Sequence, residues 1–194
     1  LMYESLNRGD NRELALIVTK LGTVLAAQDD LVGAQSCFIR SLQINERLAG
    51  SGHPCVAADL NNLGMVFFKA GKHSDAQVCF ERAMQIYQAA YGQEHEQVAA
   101  VINNLGGTLW AQNDLFNARV LYERALQIDE KVFGSVHLNV ARDTSNLGNV
   151  HMAAGDLAQA RHYFERTLHI RMVCLPSNHP KVISARRRLE QAGG

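Results

Sequence analysis

Apolar side chains recur at Ala76, Phe80 and Ala83, and then at Met84, in a helical rhythm. That spacing puts one side of a helix in the interior and the other in water. No stretch shows the strict apolar–polar alternation of a half-buried strand. The pattern then repeats. Leu-Asn-Asn-Leu-Gly at Leu60–Gly64 returns as Ile102, Asn103, Asn104, Leu105, Gly106 and, altered, as Thr144, Ser145, Asn146, Leu147, Gly148. A fainter copy ends at Gly22, so the glycines fall at 22, 64, 106 and 148, one constant step apart. A fixed step of this size marks stacked supersecondary units, each too small to bury its apolar faces alone.

Each repeat reads as two helices. The first helices are expected over 11–28, 54–70, 96–112 and 138–154, and the second over 31–48, 73–91, 115–133 and 157–174. Between them lie Asp29-Asp30, Gly71-Lys72, Asn113-Asp114 and Gly155-Asp156, residue types that tolerate the left-handed backbone at a helix end. The link to the next hairpin carries His53, His95, His137 and His179, two of them followed by proline, which favours the first helical position. Four histidines one repeat apart cannot share one ion, since neighbouring helix axes lie ~8–10 Å apart and metal–nitrogen bonds are ~2 Å. They read as hydrogen-bonders at helix starts.

Glycine in a helix interior costs ~1 kcal/mol relative to alanine. Gly22, Gly64, Gly106 and Gly148 therefore mark a close approach. Ala34, Ala76, Ala118 and Ala160 follow them at a constant offset, in the second helices. Small faces small in this reading, with Phe38, Phe80, Tyr122 and Phe164 filling the surround.

The sequence divides into repeats at about 11–52, 53–94, 95–136 and 137–178, all in one array over 1–194. Residues 1–8 align with 43–50 and read as the end of a preceding helix, and the chain as an excised fragment. Residues 179–192 keep Val182 and Leu189 but place Arg186 and Glu190 in the core and glycine slots, which fits a polar capping helix at the end of the array.

These residues resemble the tetratricopeptide repeat (TPR) family, whose consensus the positions Gly64, Ala76, Phe80 and Ala83 match. The long repeat step and the linker Gly50-Ser51-Gly52-His53-Pro54-Cys55-Val56-Ala57 are similar to the kinesin-light-chain-type subgroup. The resemblance implies an all-α fold, a right-handed α-solenoid of stacked antiparallel helix hairpins (a TPR superhelix) whose first helices line a concave groove. Carried over slot by slot, it puts Asn61, Asn62, Asn103, Asn104, Ser145 and Asn146 on that groove. Met65 and Asn149 lie one turn on, Phe68, Trp110 and Met152 lie beyond, and Arg142 sits at a helix start. A primary amide has two donors and an acceptor, so one amide per repeat suits the backbone of an extended peptide, with apolar slots as anchors. The alternative is that these amides pair with one another and the aromatics are ordinary core.

The 19 basic and 19 acidic residues balance. That argues against a nucleic-acid or membrane-surface partner, which needs a basic face, and no apolar run is long enough to span a bilayer. The cysteines Cys37, Cys55, Cys79 and Cys174 lack CxxC spacing and read as buried, reduced side chains of an intracellular, cytoplasmic protein. No nucleophile elbow, phosphate loop, carboxylate pair in a predicted cleft or metal-ligand cluster occurs, so neither catalysis nor a cofactor is expected. The expected partner is a protein or peptide, extended or partly helical. The second reading is assembly, against another domain of the same chain or between copies through Leu1, Met2 and Tyr3.

Overall fold

The computed structural model describes residues 11–193. All regular structure among the described residues is helical: α1 (Arg12–Ala27), α2 (Leu31–Ala49), α3 (Pro54–Lys69), α4 (His73–Tyr91), α5 (Glu96–Ala111), α6 (Leu115–Phe133), α7 (Leu138–Ala153), α8 (Leu157–Cys174) and α9 (Pro180–Gly193). The chain separates into two compact units that divide between Gly92 and Gln93. In the first, α1 pairs with α2 and α3 with α4, and α2 packs on α3. In the second, α5 pairs with α6 and α7 with α8, α6 packs on α7, and α9 packs on α8. The preceding-helix reading of residues 1–8 lies outside the described residues.

Local chemistry sets every boundary. Nδ1 of His53, His95 and His137 accepts the backbone N–H two residues on at the start of α3, α5 and α7, each at 3.2 Å. His179 does the same for Lys181 at 3.1 Å. The hairpin turns run through left-handed Asp29, Gly71, Asn113 and Gly155, with φ between 64° and 79°. Asp30, Asp114 and Asp156 then cap α2, α6 and α8 with their carboxylates, whereas Lys72 gives α4 no side-chain cap.

The helix-interior glycines have a different partner from the one their spacing with alanine suggests. The aromatic ring of the second helix, not an opposing alanine, fills the space. A Cβ on Gly64 would lie 2.7 Å from Phe80, on Gly106 2.9 Å from Tyr122, and on Gly148 2.5 Å from Phe164. Gly22 is less tight, at 3.0 Å from Cys37 and Phe38. The alanines are buried too, as are Val56, Val98, Val140 and Val182. Burial of the cysteines holds for Cys79 alone; Cys37 and Cys55 are half-buried, Cys174 is exposed, and none forms a disulfide.

Arg82 of α4 reaches back to Glu46 of α2 at 2.5 Å. Arg166 of α8 reaches Glu130 of α6 in the same way. These periodic arginines thus tie second helices of successive hairpins together.

Candidate functional site

Each unit buries a carboxylate where repeat logic calls for an apolar side chain. The slot reads Ile17, Asp59, Val101, Asp143 and Ala185 down the chain. Asp59 accepts from Thr19 (3.2 Å), Ser41 (3.0 Å) and Asn45 (2.6 Å) on α1 and α2. Burial raises its pKa, and these three donors hold it down. Asp143 accepts from Asn103 of α5 at 2.6 Å and from Nε of Arg142 at 3.0 Å. Arg142 also donates to Asp129 of α6 at 3.0 Å.

Asp129 and Asp143 are both fully buried, and each keeps one oxygen without a donor. Their carboxyls interact directly, and burial raises both, Asp143 to about 7. One guanidinium balances only one of two carboxylates. Burial therefore favours the protonated form within this pair, and a protonated carboxyl is a donor as well as an acceptor.

This network rearranges the expected amide ladder. Asn103 is 5 % exposed and faces inward to Asp143, and its carbonyl oxygen accepts from Asn146 at 3.3 Å. Ser145 is 4 % exposed. Asn103 lines neither cleft described below, and Ser145 contributes only a sliver of surface to one of them. Asn61, Asn62, Asn104, Asn146 and Asn149 are half-buried. Met65 and Trp110 are exposed, Trp110 by 44 %. Phe68 is half-buried with its ring 5.5 Å from that of His73. Met152 is turned into the cluster around Phe164, Leu189 and Ala192.

Two clefts gather the remainder. In the first unit, a cleft of about 290 Å³ between α1 and α3 is lined by Asn62, Met65, Val66, Lys69, Thr23 and Phe38 among others. In the second, a cleft of about 360 Å³ brings Arg142, Ser145, Asn146 and Asn149 of α7 together with Arg171 of α8 and with Pro180, Lys181, Ser184 and Arg188 of α9. Four of the eleven expected site residues thus meet in one place.

Sequence reasoning singled out none of Arg171, Lys181 and Arg188 as site residues. Arg188 was legible, since it stands one repeat step after Asn146 in the amide column. Arg171 was not, because its role depends on three helices converging. Among the described residues no group of three or more His, Cys, Asp or Glu could hold a metal ion. No helix among them is long and apolar enough to cross a membrane.

The chain matches the tetratricopeptide repeat over residues 13–89, 60–115 and 97–172. The chain belongs to the tetratricopeptide repeat family. Solved structures share its fold. BtubC (BKLC) from P. vanneervenii is 28% identical, with a TM-score of 0.76 over 86% of this chain and 66% of its own. This chain therefore spans just under two thirds of that protein's length. A Podosopora anserina chain, described as kinesin light chain nearly identical TPR-like repeats, is 20% identical with a TM-score of 0.76, covering 90% of this chain and 83% of its own. The apo form of RapI, at 14% identity and a TM-score of 0.77 over 92% of this chain and 62% of its own, shares the fold. No curated protein matches the chain. The TPR assignment places the protein in the all-α solenoid class of stacked helix hairpins and among protein-interaction scaffolds.

Proposed function

We propose that this TPR array is a non-catalytic module that binds an extended or partly helical peptide of a partner protein. The observation that carries the reading is the coincidence of cleft and amide column in both units: Asn62 with Met65 in one, Asn146 with Asn149 in the other. Asn62, Asn104 and Asn146 hold the peptide backbone, and Asn61 belongs to the same face. Met65, Phe68 and Trp110 offer apolar contact, where an aromatic anchor contributes more than its area alone suggests. Asn103 and Ser145 act from beneath, Asn103 by fixing the amide of Asn146. A cytoplasmic setting, in which unpaired cysteines stay reduced, goes with this reading.

Peptide-library binding tests it, with wild type against the Asn62→Ala/Asn104→Ala/Asn146→Ala variant. Loss of at least tenfold in affinity with an unchanged helical signal is the expected result. Equal affinity with an intact fold removes the amides from the account.

One observation favours assembly as a second reading. Leu21 is 50 % exposed on α1, while Leu63, Leu105 and Leu147 in the same slot are buried. Leu16, Ile17 and Val24 accompany it. Light scattering on the chain with and without residues 1–8 separates a self-associating end from a monomer. The proposed contact at Leu1, Met2 and Tyr3 lies outside the described residues.

A further inference from the structure

We propose that the buried pair Asp129 and Asp143 is a proton-operated support for the groove amide of Asn146: one proton on the pair holds that amide where the structure shows it, and loss of the proton releases it. The consequence for peptide affinity rests on the peptide-binding reading; the support itself does not.

Two repeats upstream, the places of Asp129, Asp143 and Asn103 hold Asn45, Asp59 and Thr19. There a single carboxylate, Asp59, takes the hydroxyls of Thr19 and Ser41 and the amide of Asn45. In the second unit Asn103 keeps the role of Thr19 and donates to Asp143 at 2.6 Å. Ala125 stands in the place of Ser41 and offers no donor. Asp129 stands in the place of Asn45, and an ionised carboxylate offers none either. The pair reproduces the amide-to-acid contact of the first unit only when it carries a proton. Without one, two buried carboxylates share the single guanidinium of Arg142. Asp129 Oδ1 and Asp143 Oδ2 then face each other's charge with no donor. Like charges so placed repel, and a buried charge left uncompensated is costly.

The groove is one amide away from this pair. Asp143 Oδ1 fixes Nδ2 of Asn103, and Oδ1 of Asn103 accepts from Nδ2 of Asn146 at 3.3 Å. Asn146 and Arg142 both line the cleft of α7, α8 and α9. A carboxyl pair that parts therefore moves the acceptor that aligns Asn103, and through it Asn146. Burial raises the pKa of both acids, Asp143 to about 7, so the hold is present in mild acid and lost as the pH rises through the neutral range. The other charged or titratable groups around the pair are Tyr122 on α6, Glu96 on α5 and His137 at the start of α7. Arg171 of α8 and Arg188 of α9 stand in the cleft beyond Arg142. Burial pushes the Tyr122 hydroxyl up, so it stays neutral. An imidazole titrates in the same range as the pair, and two variants separate its effect.

Side-chain amide NMR of the whole chain tests the support without any peptide. Between pH 5.5 and pH 8.5 the Nδ2 resonances of Asn103 and Asn146 should shift together with one midpoint, while that of Asn62 in the first unit stays still. Asp129→Asn restores the amide-to-acid pairing of the first unit, and Asp143→Asn restores it with the partners exchanged. Either variant should abolish the shift, so one that folds is enough. A peptide from the library screen that has no ionisable side chain should bind wild type about tenfold more weakly at pH 8.5 than at pH 5.5, and each variant equally at both. An Asn146 resonance that stays still in wild type, or that moves as far in the variants, as titration of His137 would make it, overturns the support. Equal wild-type affinity at both pH values overturns its reach into the groove. Moving amides in a chain that binds no peptide at either pH uphold the support and remove the peptide reading instead.

Discussion

Replacing Asp143 by asparagine preserves the acceptor for Asn103 and Arg142 and puts an amide donor toward Asp129. The variant thus mimics the state in which the carboxyl pair holds one proton. Burial raises the pKa of Asp143 from its usual 3.8 to about 7. A carboxyl raised on folding supports the fold fully below its unfolded pKa, and that support is lost as the pH climbs through the folded value. Wild type is therefore expected to lose stability between about pH 4 and pH 7, and Asp143→Asn to escape that loss. Urea midpoints at pH 4 and pH 8 should show the variant close to wild type at the lower pH and ahead by about 1–3 kcal/mol at the higher. A second test at this scale concerns Gly148→Ala. The helix gains ~1 kcal/mol of propensity, yet the new methyl meets the Phe164 ring at 2.5 Å, and overpacking costs typically ~1–3 kcal/mol. Net destabilisation is expected in a thermal melt, and less for Gly22→Ala, where the gap is 3.0 Å.

Each helix ends where its own sequence says it should. The glycine and aspartate turns and the histidine starts were legible because each acts on its immediate chain neighbours, through φ or one hydrogen bond. The glycine column was legible as a close approach, but the identity of the approaching group was not. An alanine and a ring both recur once per repeat, and only the angle between the two helices decides which one meets the glycine. The buried acids were hidden for a related reason. Asp59 and Asp143 look like accidents in an apolar column until Thr19, Ser41 and Asn45, or Asn103, Asp129 and Arg142, arrive beside them in the folded chain. At this scale the missing cap at Lys72 makes a prediction. Lys72→Asp supplies the carboxylate that the other three hairpins carry, contributing about 1 kcal/mol. It loses the weak contact of the lysine with the Phe67 ring, 5.9 Å away. A net rise in the urea midpoint corresponding to about 0.5 kcal/mol is expected.

Repeat arrays derive stability from intrinsic repeat terms and nearest-neighbour interfaces. The second unit contains its own buried cluster of Tyr122, Val140, Leu147, Val150 and Ile170, together with the buried acids Asp129 and Asp143 and the α9 cleft. Residues 93–194 produced alone should unfold in one cooperative urea transition followed by circular dichroism. A broad, non-cooperative loss of helix would show that its core depends on the rest of the chain. The acids carry one more implication, for how such a chain can lengthen or shorten. They occupy their slot in alternate hairpins, at Asp59 and Asp143 but not at Val101 between them. Excising one hairpin would slide Val101 into the place of Asp59, removing the acid that Thr19, Ser41 and Asn45 share. Excising two would deliver Asp143 there instead. A designer trimming this array should therefore count in pairs.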